Sequence, residues 1–217
     1  MTKTASPERL DIEDADIAFV ERVPLPAPDD ALLETIITET PWRAESITLF
    51  GRKVLQPRLI AWYGDPDQAY SYSGIALLPL PWTPTLAALR RTVQEIAAEP
   101  LNSVLLNHYR DQRDSVGLHS DAEPELGPTP TIATLSLGAT RTLVLKHRQR
   151  AGRKPVRIEL PSGSLLLMRG RTQQFWKHAI PKQAQPCGPR VSLTFRRIQP
   201  VTPSSSPKPA PQVTPSG

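Results

Sequence analysis

From about residue 100 onward the chain breaks into short runs: "SVLLNHYR", "TIATLSLG", "RTLVLKH", "VRIELP", "GSLLLMRG", "FWKHAIP" and "RVSLTFRRI". Gly, Pro, Asp and charged residues separate them. Runs of this length and composition read as strands, and their close spacing predicts an antiparallel sandwich or barrel. Upstream the period changes. Leu32, Leu33, Ile36 and Ile37 recur at helical spacing between a cap at Asp29 or Asp30 and a stop at Pro41. Thr83 caps a second helix, Pro84 takes its first turn, Leu86, Leu89, Val93 and Ile96 form its stripe, and Pro100 closes it. "ESITLFGRKVLQPRLIAWYG" reads as paired strands turning at Gly51, and "AYSYSGIALLPL" as a loop leading to another strand. The class expected is α+β, mainly β, with two helices bracing one sheet.

A length of 217 residues suits one domain with tails. Residues 1–16 are expected to be flexible, 17–199 to form the domain, and 200–217, rich in Pro and Ser, to be too polar to repay the entropy of ordering. The opening residues lack an apolar stretch and carry acids early, and no run approaches the roughly 20 apolar residues of a membrane span. A soluble, cytoplasmic monomer without membrane contact is expected, nucleoid-associated in a bacterium. The single cysteine, Cys187, excludes an internal disulfide or a multi-thiolate metal site, so any metal must take nitrogen and oxygen ligands. The net charge of +5 is modest, yet residues 141–157, "RTLVLKHRQRAGRKPVR", concentrate Lys and Arg with no acid. Such a block is either a polyanion contact or a solvated hairpin loop.

In "LHSDAEPEL", residues 118–126, an extended backbone puts His119 and Asp121 on one face, two thirds of a metal site. The third ligand is expected to be a histidine from another strand. His147 lies in the basic loop and should be exposed; His108 should be structural; His178 lies in the apolar "QFWKHAIP". His119, Asp121 and His178 make a 2-His-1-carboxylate set that leaves three positions on iron(II) for a co-substrate and dioxygen. Because His-x-Asp recurs by chance, a second signal matters. In "RVSLTFR", Arg190, Ser192, Thr194 and Arg196 share a face by period two, opposite Val191, Leu193 and Phe195. Guanidinium groups on an interior face need anions, and two planar forks suit a dicarboxylate. On a solvent-facing strand the same pair would be two surface arginines. Asn107 and Tyr109 share a face of "LLNHYR" and could supply neutral hydrogen bonds.

"PRLIAWYGD", "YSYSG", "LNSVLLNHYRDQRDSVGLHSDAEPELG", "TIATLSLGATRT", "GSLLLMRG" and "PRVSLTFR" follow one another across residues 57–197. Together they resemble the AlkB family of Fe(II)- and 2-oxoglutarate-dependent dioxygenases, in particular its DNA-repair demethylase branch. The resemblance implies a double-stranded β-helix (jelly roll) for residues 17–199. It implies Fe(II) on His119, Asp121 and His178, and 2-oxoglutarate on Asn107, Tyr109, Arg190, Ser192 and Arg196. Where Ser192 stands the family usually has Asn, which implies a shorter or water-mediated contact. The activity implied is oxidative demethylation of N-alkylated nucleobases, of the 1-methyladenine and 3-methylcytosine type, in single-stranded or duplex DNA or in RNA. By the same resemblance Glu123 reaches the base, Tyr72 stacks on it, and Phe50 enters the base stack; core packing for Tyr72 and a folded-down staple for Phe50 are the plainer alternatives. Arg52, Lys53 and the arginines of 148–157 would grip phosphates. Two rival functions remain: a hydroxylase of a protein or small molecule using the same iron site, and a non-catalytic nucleic-acid-binding module.

Overall fold

The computed structural model describes residues 6–49, 52–66, 70–72, 75–77, 79–150 and 152–199. The first half of the chain forms β1 (Glu8–Leu10), β2 (Asp16–Val20), α1 (Asp29–Glu39), β3 (Ser46–Leu49), β4 (Arg52–Leu55), β5 (Leu59–Gly64), β6 (Tyr70–Tyr72), β7 (Ile75–Leu77) and α2 (Pro84–Ala97). The second half forms β8 (Ser103–Tyr109), β9 (Val116–His119), β10 (Ile132–Gly138), β11 (Arg141–His147), β12 (Val156–Leu160), β13 (Leu165–Arg169), α3 (Thr172–Phe175), β14 (Trp176–Ile180) and β15 (Arg190–Arg196). The larger sheet runs β1-β2-β13-β10-β15-β8-β5 and the smaller β12-β11-β14-β9. Every pairing within these two sheets is antiparallel, and the architecture is an α+β, mainly β jelly roll.

Alternation along the strands divides the interior in two. Val191, Leu193 and Phe195 of β15, with Leu165 and Leu167 of β13, pack with Leu32 and Ile36 of α1 and Leu86, Leu89 and Val93 of α2. The opposite faces, Leu166 and Met168 of β13 and Leu105 of β8, meet Leu143 and Leu145 of β11 and Ile180 of β14 between the sheets. Because both faces of the larger sheet are covered, all seven residues of β8 and of β15 are buried, polar ones included. The helices therefore act as a rigid backing that leaves the other sheet face to build a site.

The stripe and cap expected of α2 are present, with the Leu86 amide donating to Thr83 Oγ1 at 3.2 Å, a contact worth about 1 kcal/mol. In α1 neither aspartate caps. Pro28 holds the N-cap position, and Asp29, already helical, is gripped by Arg22 at 3.0 and 3.1 Å. Three further expectations are corrected. Residues 8–10 are not a flexible lead-in but pair with β2, because Leu10 and Ile12 find apolar neighbours between the sheets. "AYSYSGIALLPL" contributes a two-stranded ribbon, β6 with β7, rather than a loop. His147 is buried, not exposed, its ring edge-on to Trp176 and its Nε2 3.2 Å from Asp14 Oδ2. The tail from residue 200 and Phe50 lie outside the described residues. Among the described residues no helix is long and apolar enough to cross a membrane.

Gly138 ends β10 at φ +90°, where an added Cβ would collide with the Pro189 carbonyl oxygen. A left-handed backbone and a backbone neighbour that cannot step aside both forbid a side chain. Gly138→Ala is expected to lower stability by more than about 2 kcal/mol, read as a lower midpoint in urea with an unchanged m-value.

Candidate active site

Strand register gathers the site. His178 of β14 lies directly across from His119 of β9, so two imidazoles far apart in sequence become cross-strand neighbours with ring centroids 4.2 Å apart. Asp121 follows two residues after His119, and one ligand atom from each of His119, Asp121 and His178 lies within 4.8 Å of the others. That spacing is what one small cation can bridge. His119 Nδ1 sits 2.9 Å from the Gly117 carbonyl, which selects the tautomer protonated at Nδ1 and leaves Nε2 its lone pair. Asp121 is buried; its Oδ1 accepts from Arg196 Nη2 at 2.9 Å, while Oδ2 accepts no hydrogen bond among the described residues. A buried carboxylate oxygen left without a donor, beside two imidazoles, fits a borderline divalent ion.

The protonation states agree with that fit. Burial pulls the Asp121 carboxyl upward, but the Arg196 guanidinium, then His178 and His119, outweigh it and bring it down to about 2. Burial, reinforced by His119 and opposed by Asp121, brings His178 down to about 3. At neutral pH the site therefore presents an ionised carboxylate and a neutral His178 imidazole, both in metal-binding form.

Beside the triad opens a recess of about 500 Å³, its open mouth included. Arg190, Ser192, Thr194 and Arg196 of β15 all line it, as period two requires. So do Tyr109 and Asn107 of β8, which sit opposite Arg190 and Ser192 in register. On the other flank Thr134 and Ser136 of β10 oppose Thr194 and Ser192, and these small side chains keep the floor open and polar. The two arginines are not equivalent ends of a clamp, as their spacing suggested. Arg196 lies against Asp121. Arg190, 1% exposed, gives Nη2 to Ser136 Oγ at 2.9 Å, while its Nε and Nη1 make no hydrogen bond of good geometry among the described residues. Buried guanidinium donors with capacity to spare in a polar recess suit a carboxylate.

Several supporting residues escaped the sequence reading. Arg58 Nε donates to Asn107 Oδ1 at 2.6 Å and so turns the amide NH₂ of Asn107 the other way. Gln173 Oε1 accepts from the Asp121 amide at 3.0 Å, holding the backbone of a metal-ligand candidate from the one-turn helix α3. An arginine heading the apolar strand "RLIAWY" was a usable signal for the first; nothing local marked the second. Of the expected base contacts, Glu123 heads a 3-10 turn over Pro124–Leu126 and has a buried Oε2 without a donor among the described residues. Tyr72 closes β6, whose side chains are not described, and Phe50 lies outside the described residues.

The basic segment is less available than its composition suggested. Arg141 is buried, and Arg150 and Arg153 are engaged by Glu13 at 2.7 and 2.9 Å. Arg148, which donates to Ser120 Oγ at 3.1 Å, has no carboxylate among its hydrogen-bond partners in the described residues and lines an open groove running past Asp121, Gln173 and Gln174.

Residues 23–196 match the family model described as the 2OG-Fe(II) oxygenase superfamily. The chain is 41% identical over 179 residues to mouse alpha-ketoglutarate-dependent dioxygenase alkB homolog 3, covering 79% of this chain and 62% of that protein. It is 40% identical over 160 residues to mouse DNA oxidative demethylase ALKBH2, covering 71% of this chain and 67% of that protein. The chain thus spans about three fifths of the length of the alkB homolog 3 proteins it matches. A solved structure, "The structure of OsALKBH1", superposes with a TM-score of 0.58 at 16% identity, covering 83% of this chain and 97% of that one, a likeness of fold.

Proposed function

The chain belongs to the 2OG-Fe(II) oxygenase superfamily, within its AlkB family, and from that premise we propose that it oxidatively demethylates N-alkylated nucleobases in nucleic acid. The observation that carries the reading is the meeting of His119, Asp121 and His178 within 4.8 Å at the edge of a recess that holds buried Arg190 donors. When bound, Fe(II) with 2-oxoglutarate supplies the oxidation of an N-alkyl carbon by dioxygen, coupled to decarboxylation of the oxoacid to succinate. The chain does the rest. His119, Asp121 and His178 would hold the metal on one side, leaving its other side open to the recess. Arg196 keeps Asp121 ionised and aimed; Arg190, with the Tyr109 phenol, takes the distal carboxylate; the Asn107 amide, oriented by Arg58, donates along the length of the oxoacid. Ser192, smaller than the Asn usual in the family, leaves room there for a bridging water.

The substrate side rests on Glu123, two residues after Asp121, whose buried carboxylate oxygen has no donor among the described residues and suits the exocyclic N–H of an adenine or cytosine extruded from its stack. Residues 17–199, with β1 as a further edge strand, are the catalytic unit in this reading, a monomer working in the cell interior. The test is formaldehyde release from oligonucleotides carrying 1-methyladenine or 3-methylcytosine, as single-stranded DNA, duplex DNA and RNA. Product dependent on both Fe(II) and 2-oxoglutarate is expected. Binding without product would leave only a nucleic-acid-binding module, and succinate formed without base repair would point to another substrate.

A further inference from the structure

Arg141 opens β11 at the head of a run of basic residues, yet it is 1% exposed. Its Nη2 donates to the carbonyls of Asp114 and Pro181 at 2.8 and 2.6 Å, and Nη1 to that of Asp111 at 3.2 Å. Its Cζ lies 5.5 Å from the centroid of the Tyr109 ring, and the Cζ of Arg190 lies 5.1 Å from the same centroid. Two buried guanidinium groups thus share one aromatic ring at the inner end of the recess. Asp114 does not neutralise them, because its carboxylate is taken by Arg110 in a two-pronged contact at 2.7 and 2.9 Å. The carbonyls around Arg141 solvate it but bring no net charge. A buried pair of guanidinium groups held by neutral carbonyls and an aromatic ring gains from an anion that joins it.

We propose that Arg141 is a positioning and specificity-determining residue for the co-substrate, which, through Tyr109 and Arg190, makes the inner end of the recess demand a second carboxylate. The proposal rests on the reading that the recess takes a 2-oxoacid, and it adds which oxoacids are refused. Burial pushes the Arg190 guanidinium downward, and the neighbouring Arg141 charge pushes the same way against the support of Tyr109. A distal carboxylate relieves both effects at once, whereas a methyl group in its place relieves neither. The plainer role, stapling the 111–114 loop and Pro181 to β11 through three carbonyls, predicts equal harm to every ligand.

The test uses the full chain with Mn(II) in the metal site and calorimetric Kd values for 2-oxoglutarate and for 2-oxobutanoate, which lacks the distal carboxylate. Arg141→Gln keeps an amide that can reach carbonyls and loses the charge; Arg141→Lys keeps the charge. Arg141→Gln is expected to weaken 2-oxoglutarate on the order of tenfold and to leave 2-oxobutanoate within about twofold, with Arg141→Lys recovering most of the loss. Parallel weakening of both ligands, or of neither, overturns the proposal. Should Arg141→Gln not fold, thermal melts of the metal-free natural chain decide: glutarate raises Tm and butanoate does not, whereas equal shifts, or none, overturn it. A natural chain that binds Mn(II) but neither oxoacid sinks the co-substrate reading itself; one that binds both oxoacids alike leaves a 2-oxoacid site but sinks the role given to Arg141 and the hold of Arg190 on a distal carboxylate.

Discussion

Asp121→Ala is expected to eliminate iron-dependent turnover and to weaken Mn(II) or Co(II) binding by more than about 100-fold, beyond the effect of losing a mere supporting contact. The carboxylate contributes one of three ligand atoms gathered within 4.8 Å, and its buried Oδ2 accepts no hydrogen bond among the described residues. The same change also removes the anion that Arg196 faces, and uncovering one member of a buried pair costs about 3–5 kcal/mol. Asp121→Asn separates the two losses, since the amide keeps an oxygen toward Arg196 but is a poor metal ligand. Acid titration of the metal-free protein adds a signature. The Asp121 carboxyl is lowered in the folded state from 3.8 to about 2, so its stabilising contribution is complete above pH ~4 and is lost as pH falls toward 2. That lowering corresponds to about 2–3 kcal/mol, and this part of the acid limb disappears in Asp121→Asn. Retained metal affinity in Asp121→Ala, measured by calorimetry, would remove the residue from the metal site.

Arg190→Met separates function from stability. Two buried guanidinium nitrogens of Arg190 lack well-formed hydrogen bonds among the described residues, and burial opposes the charge. Replacing such a group with an apolar side chain of similar length is neutral or stabilising, so the Tm of the metal-free protein is expected to hold or rise. Affinity for 2-oxoglutarate should nonetheless fall about 100-fold or more, the worth of two charge-assisted hydrogen bonds, while Mn(II) affinity stays the same. A variant that loses stability and oxoacid affinity together would mean that Arg190 holds the fold rather than the ligand. A variant with unchanged oxoacid affinity would move the distal carboxylate elsewhere.

Strand period two carried much of this from composition to chemistry. Arg190, Ser192, Thr194 and Arg196 could be assigned to one face of β15, and Val191, Leu193 and Phe195 to the other, before any pairing was known. The same rule put Asn107 with Tyr109. Helix α2 was equally readable, because a capping threonine, a first-turn proline and a four-residue stripe are local signals. The failures share a cause. His147, Arg141, Arg150 and Arg153 looked like one exposed basic run, yet each meets a group from a distant part of the chain: Asp14, the 111–114 loop, and Glu13 twice. Composition records the charges of such a segment but not which of them will be answered.

What the order of residues determined by itself was the class of fold, the strand faces, and a list of side chains able to bind metal and dicarboxylate, because these depend on backbone periodicity and donor chemistry within a few residues. Only the tertiary structure decided that His178 stands across from His119, that Arg196 turns to Asp121 while Arg190 keeps donors to spare, and that Arg58, Gln173 and Arg141 stand behind them. Those choices depend on register between strands distant along the chain. A shift of one residue there would send every second side chain to the opposite face, and the same ligands would never meet.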